Sequence, residues 1–387
     1  MAIGMPSSSL NPPELTLGTK LQQINWGLIL LLVLISSIGF AMLYSAANGS
    51  WTPWAVRQAI RFGVGLVITL GIALIDIRFL LRWAYLFYFI TLGLLGVVEI
   101  AGEIGMGAQR WIDVGFFRLQ PSELMKLALV LALARYFHHL TFEEVGRIRS
   151  LFAPLFLVFA PAILVLRQPD LGTAGMIILG GGAIFFLAGV RMWKFVTVLV
   201  LGLSAIPVGW QFLHNYQKNR ILTFINPEND PLGAGYHILQ SKIALGSGGL
   251  FGKGFLQGSQ SHLNFLPEKQ TDFIFTMLAE EMGLAGAMFL LLLYVLALGY
   301  GFAIALRSSS QFGRLLALGT TTTLFLYVFI NIAMVMGLIP VVGVPLPLIS
   351  YGGTAMLTAM IGFGLIINCY VHRDVEIGRQ GLDDHHR

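Results

Sequence analysis

Asp272 is the residue whose setting most invites chemistry. It follows Lys269, Gln270 and Thr271 and opens the segment Asp-Phe-Ile-Phe-Thr-Met-Leu-Ala-Glu-Glu281, which leads into an uncharged run from Leu284 to Ala303. That run alone is long enough to cross a bilayer core. Residues 272–283 then read as extra helix, extending about 18 Å beyond it at 1.5 Å per residue. A carboxylate at such a helix N-terminus is kept ionised by the positive end of the macrodipole. Asp272 is then either a plain N-cap, or a general base or ligand for a divalent cation.

Three other clusters carry polar groups. Gly107-Ala-Gln-Arg-Trp-Ile-Asp113 is followed by Gln120-Pro-Ser-Glu-Leu-Met-Lys126. In the ordinary reading Trp111 anchors an interfacial segment, Ser122 caps the next helix, and Glu123 neutralises Lys126 on one helical face. In the functional reading Arg110 beside an aromatic residue grips a phosphate. Charges in the first turns of a helix entering lipid favour function by default, so the two readings balance. In Arg167-Gln-Pro-Asp-Leu-Gly-Thr173, Asp170 has the form of an N-cap. In the loop from 214 to 271, Tyr236, Leu239 and Ile243 recur at helical spacing, which predicts a short helix lying on the membrane surface. The run Gly246-Ser-Gly-Gly-Leu-Phe-Gly-Lys-Gly254 lacks a P-loop ending and the GxGxxG spacing, and reads as a flexible loop.

The elements that position these clusters are set by composition. The chain has 387 residues, of which 56% are hydrophobic and 11% charged, with a mean hydropathy of +0.78. Soluble chains carry about 25% charged residues, so an all-α polytopic membrane protein is predicted. Disorder and a disulfide framework are excluded, Cys369 being the single cysteine. Apolar runs near 26–47, 56–75, 80–101, 122–139, 151–167, 171–190, 193–213, 273–303, 315–338 and 348–371 give ten spans, with the long loop between the seventh and eighth. The fifth and sixth are the weakest and could form one broken element. Residues 1–25 and 372–387 read as tails around a membrane domain at 26–371.

Ten spans put both termini on one side. Arg78, Arg82, Arg147, Arg149, Arg191, Lys194, Arg307 and Arg314 gather there, against Arg110, Arg118 and Arg167 in the short loops opposite. The termini are therefore cytoplasmic and the four clusters face outward. A net charge of +5 suits cytoplasmic loops on anionic membrane lipids and implies no nucleic-acid partner. His138-His139 reads as a solvated helix end and His385-His386 as solvated tail. No Ser-His-Asp arrangement and no His pair at metal-ligand spacing is present. What results is an outward polar site with one carboxylate and a basic rim at headgroup depth, suited to an anionic lipid-linked substrate.

Gly-Ala-Gln-Arg-Trp-Ile-Asp, Gln-Pro-Ser-Glu-Leu-Met-Lys, Phe-Leu-Pro-Glu-Lys-Gln-Thr-Asp-Phe-Ile-Phe and Pro347-Leu-Ile-Ser-Tyr-Gly-Gly353 resemble, in order, the motifs of the SEDS family (shape, elongation, division and sporulation). The resemblance runs from about residue 20 to about 373. Gly258-Ser-Gln-Ser-His-Leu-Asn-Phe-Leu-Pro-Glu268 is nearer the elongation-type, RodA-like branch than the division-type, FtsW-like one. The resemblance implies a ten-helix SEDS-type fold in the bacterial cytoplasmic (inner) membrane. It also implies an inverting peptidoglycan glycosyltransferase that polymerises lipid II at the outer face, beside a class B penicillin-binding protein transpeptidase.

By the same resemblance Asp272 is the catalytic carboxylate, with Mg or Mn as the divalent ion if one serves. Arg110, Trp111, Glu123, Lys126, Lys269, Gln270 and Thr271 fall at motif positions expected to bind substrate. Asn264 stands where division-type members often carry Glu, so no acid/base role is assigned to it. A flippase for lipid-linked precursor is the alternative. It should string ionisable groups across the mid-membrane, whereas the best-defined clusters here crowd one face.

Overall fold

Backbone polar groups in a bilayer must pair internally, so apolar runs of this length fold as helices. The computed structural model describes residues 16–105, 108–113, 115, 118–212, 218, 222–224, 226, 234–263, 265 and 268–378. Ten helices of 16 or more residues lie among them: α1 (Trp26–Ala46), α2 (Ala55–Leu74), α3 (Ile77–Ala101), α4 (Pro121–His139), α5 (Phe152–Arg167), α6 (Leu171–Leu187), α7 (Met192–Phe212), α8 (Ile274–Arg307), α9 (Gln311–Val335) and α10 (Gly353–Val371). By length and composition eight of them can cross a membrane, the fifth counted with the turn that precedes it. The exceptions are α6, apolar but only 17 residues long, and α4, which carries Glu123, Lys126 and Arg135. Asn25, Asp76, Asp170 and Ser310 each accept from a backbone N–H at the start of α1, α3, α6 and α9, the usual stop on fraying at an N-terminus.

α4 and α9 form the centre. α4 packs on α3, α5, α6 and α9, while α9 also meets α8 and α10; α2 lies along α10, and α1 along α8. The charges of α4 therefore face protein rather than lipid, and both Glu123 and Lys126 are only 4% exposed. None of the apolar stretch of α7 is buried.

The structure corrects several expectations. The segment before α4 has secondary structure that was not expected. Strands β1 (Glu103–Gly105), β2 (Ala108–Asp113) and β3 (Arg118–Leu119) form a three-stranded antiparallel sheet in that order. Trp111 faces Glu103 in it, and Asp113 faces Arg118. Ser122 does not cap α4: Gln120 holds the N-cap, Pro121 the first helical position, and Ser122 is buried in the first turn. The helix Ala234–Ser247 turns Ile238, Ser241 and Ala244 inward against α8 and α9, and leaves Ile243 half exposed. The expected helix thus forms, and Ile243, on the face expected to meet the membrane, is left outward. Ser241 Oγ donates to Val335 O at 2.8 Å.

The largest correction concerns α8. It is broken at Gly283 (φ 69°, ψ −168°), a conformation open chiefly to glycine. The glycine run expected to be a flexible loop closes the break. Lys253 N and Gly254 N donate to Glu280 O and Glu281 O, each at 3.0 Å; Leu284 N and Ala285 N donate to Gly249 O and Leu250 O at 2.9 and 3.0 Å. The straight extension of about 18 Å is therefore replaced by a jointed segment.

The tails differ too. Leu17–Gln22 is helical, and Lys20 Nζ donates to Leu74 O. Beyond α10, Val375 and Ile377 pack on the core. His138, expected in solvent, is 1% exposed, with Nε2 at 3.2 Å from Gly378 O. Residues 1–15 and 379–387, with His385 and His386, lie outside the described residues, as do Gly107, Asn264 and most of 213–233.

Candidate active site

Asp272 does not cap α8. The N-cap is Phe273, which makes no side-chain cap bond, and Asp272 sits in the preceding turn, where Thr271 N and Phe273 N donate to Glu268 O. Its side chain is half-buried. Gly343, in the left-handed region (φ 71°), lies against it, and a Cβ there would stand 3.4 Å from Asp272 Oδ2.

Three successive carbonyls before α8 are gripped from distant parts of the chain. Tyr351 N donates to Gln270 O at 2.8 Å, Ser350 Oγ to Thr271 O at 2.7 Å, and Asn331 Nδ2 to Asp272 O at 2.9 Å. The gripping segment, Pro347–Gly353, is itself held. Gln58 Nε2 donates to Ser350 O at 2.8 Å, Tyr294 Oη to Pro347 O, and Ser350 Oγ accepts from Leu346 N at 2.8 Å. Gln58 of α2 and Tyr294 of α8 thus hold the segment that grips the turn, while Asn331 of α9 holds the turn itself, which fixes the position of a carboxylate better than a lone loop could.

The second group is buried between α4 and α9. Lys126 Nζ donates to Glu123 Oε1 at 2.8 Å, Tyr327 Oη donates to Glu123 Oε2, and the ammonium lies 4.2 Å from the Tyr327 ring centroid. The carboxylate is therefore paired and hydrogen-bonded, as a charge at this depth must be. Beside it opens a narrow cleft lined by Lys126, Leu324, Tyr327, Pro345, Pro347 and Ala355 among others. It has apolar walls and one cation.

Arg110, on β2, pairs with Asp170: Nε stands 3.0 Å from Oδ2. Asp170 also caps α6 through Thr173 N (3.1 Å) and Thr173 Oγ1 (2.9 Å), so the N-cap reading holds and a second partner is added. Trp111 beside Arg110 is partly exposed. The start of α6 touches the stretch that seats Asp272, because a Cβ on Gly172 would come within 2.7 Å of Val342 O. Residues 342–344 thus link the Arg110–Asp170 pair to the Asp272 carboxylate.

The neighbours of Asp272 turn inward. Lys269 is buried and its ammonium donates to Ser261 O at 2.8 Å; burial holds its pKa below the usual lysine value, with the Glu281 carboxylate opposing in part. Thr271 Oγ1 and Gln270 Nε2 donate to Glu268 Oε2 at 3.0 and 3.4 Å. Glu280, wholly buried, accepts from Lys253 Nζ, Gln260 N and Ser261 Oγ at 2.8 Å each. Among the described residues no three or more His, Cys, Asp or Glu side chains converge.

Sequence reasoning assigned no role to Tyr327, Asn331, Ser350 or Gly343. The signal for two of them was available. Thr323, Tyr327 and Asn331 recur every fourth residue within an apolar span, and such a stripe of polar groups on one face of a membrane helix points inward.

This arrangement of ten long helices around a half-buried carboxylate matches a known family. The model of the FtsW/RodA/SpoVE cell cycle proteins matches residues 20–375, and the chain belongs to that family. It is 45% identical over 365 residues to the peptidoglycan glycosyltransferase MrdB of Escherichia coli K12, covering 94% of this chain and 97% of the relative. It is 38% identical to the MrdB protein of Helicobacter pylori 26695, over 82% and 84% of the two chains. Among solved structures, a chain described under the structural coordination of polymerization and crosslinking by a peptidoglycan synthase complex superposes with a TM-score of 0.80. It is 32% identical, with 90% of this chain and 98% of that one covered. The rod shape determining protein RodA of Thermus thermophilus gives 0.68 at 30% identity, with coverage of 90% and 97%.

Proposed function

We propose that Asp272 is the catalytic carboxylate of this chain, a peptidoglycan glycosyltransferase of the RodA (MrdB) type. The observation that carries the reading is the grip on the carbonyls of Gln270, Thr271 and Asp272, which holds the backbone still while Asp272 stays partly exposed. Asp272 accepts the proton of the acceptor's GlcNAc 4-hydroxyl as that oxygen attacks the anomeric carbon of the donor lipid II. The bond from the anomeric carbon to the pyrophosphate oxygen breaks with inversion, and undecaprenyl pyrophosphate leaves with the electron pair. Arg110 and Lys126 are the cations assigned to the developing charge. Both are already paired, which keeps them in place before substrate arrives. The apolar cleft beside Lys126 suits a lipid-linked donor.

In the same reading the ten long helices cross the bacterial inner membrane, both termini are cytoplasmic, and the site opens on the outer face. The basic residues around the cytoplasmic helix ends support this orientation. The partner is a class B penicillin-binding protein, in keeping with the likeness to a chain of a peptidoglycan synthase complex. The test is reconstitution of the purified Asp272→Asn variant with lipid II, with and without a chelator. Loss of polymerisation with retained folding and lipid II binding is expected. Strand synthesis near the wild-type rate would falsify the assignment, and chelator sensitivity of the wild type would add a divalent ion to it.

A further inference from the structure

We infer that Asn331 is the positioning residue of the Asp272 carboxylate, and that through α9 it holds that carboxylate in register with the Glu123–Lys126 pair. The inference rests on the catalytic reading of Asp272. Asn331 is fully buried in the last turns of an apolar helix, where a side-chain amide is costly unless its hydrogen bonds are made. Its single amino group makes two. Nδ2 donates to Asp272 O at 2.9 Å and to Val344 O at 2.7 Å.

Those acceptors lie on the two segments that face each other across the carboxylate. Asp272 supplies it, and Gly343, the residue before Val344, lies against its Oδ2. The two hydrogens of one planar amide diverge at a fixed angle, so the separation of Asp272 and Val344 is set by a rigid group. Asn331 Oδ1 is buried without a hydrogen-bond partner. The side chain is thus committed to donation, and a carboxylate in its place would face two carbonyl oxygens.

One turn earlier on the same face stands Tyr327, whose hydroxyl holds Glu123. Four residues of helix separate Tyr327 from Asn331, about 6 Å of rise. Tyr327 and Val344 pack in one small cluster with Met176 and Ile330. A single stretch of α9 therefore ties the buried cation to the base, and a shift of either would pass to the other through α9.

The experiment compares Asn331→Ala, Asn331→Asp and Asp272→Asn, each purified and reconstituted with lipid II, reading kcat, KM and thermal unfolding. Misplacing a reacting group by about 1 Å costs on the order of 100-fold in rate. We expect Asn331→Ala to lose kcat by about that factor while KM stays within about twofold. Asn331→Asp can donate only when protonated, so its activity relative to wild type should rise as the pH is lowered. That readout survives even if Asn331→Ala does not fold, and packing alone would not produce it. A near-normal kcat for Asn331→Ala, a raised KM at normal kcat, or a flat pH ratio for Asn331→Asp would overturn the inference. If Asp272→Asn is inactive while Asn331→Ala works, only the positioning role falls; if Asp272→Asn polymerises, the catalytic reading falls with it.

Discussion

The hydroxyl of Ser350 donates to the carbonyl of Thr271, 79 residues earlier in the chain, and so joins the segment before α10 to the turn that carries Asp272. The same oxygen accepts from Leu346 N. Ser350→Ala strands a carbonyl and an N–H in a buried place, at a cost of about 1–3 kcal/mol. A lower unfolding temperature together with reduced polymerisation is expected. Unchanged activity in the stable fraction would show that this tie does not position the carboxylate.

Glu123 and Lys126 offer a sharper contrast. Lys126→Met leaves the Glu123 carboxylate buried with only Tyr327 as partner, and breaking a buried pair this way costs about 3–5 kcal/mol. The double variant Glu123→Gln with Lys126→Met removes both charges and should recover most of that stability. Polymerisation should stay low, since the cation is gone. Recovery of strand synthesis in the double variant would reduce the pair to a structural role.

The glycine run gives a test of the joint in α8. A Cβ on Gly248 would stand 2.0 Å from Ala279 O, and one on Gly252 (φ 81°) 2.1 Å from Glu281 O, whereas Gly246 has nothing within 4 Å. Gly248→Ala and Gly252→Ala should sharply lower the yield of folded protein in detergent, while Gly246→Ala leaves it unchanged. Equal behaviour of the three would contradict the close approach.

Burial lowers the pKa of Lys269 in the folded protein. The unfolded chain, with a lysine pKa of about 10.4, then binds more protons between the folded and unfolded values. Stability gained from this group therefore rises with pH across that interval. The unfolding temperature of wild type relative to Lys269→Met should climb as the pH is raised from neutral toward 10. A difference independent of pH would mean that the ammonium is as well solvated as in the unfolded chain.

Much of the helical layout was legible because hydropathy reports directly on what lipid permits. The helices start and stop within a few residues of the predicted runs in most cases, α9 beginning four residues early at Gln311. Asp272 was legible because a charge at the edge of an apolar run stands out. The break at Gly283 was hidden, since neither proline nor a change of period marks it, and its cause lies about thirty residues earlier in the glycine loop. The pairing of Arg110 with Asp170 was invisible for the same reason: its members are far apart in sequence. Tyr327 and Asn331 were lost to averaging, because two polar residues barely move the hydropathy of a 25-residue helix.

The interruption of α8 has a mechanical consequence. An unbroken rod from Asp272 to Arg307 would be a lever, swinging its N-terminal tip with every tilt forced on its C-terminal half by a thinner or thicker bilayer. With a joint at Gly283 braced by four backbone bonds to the glycine loop, the N-terminal piece takes its bearings from the protein around it. The carboxylate is surveyed from Ser350, Tyr351 and Asn331 rather than from the axis of its own helix.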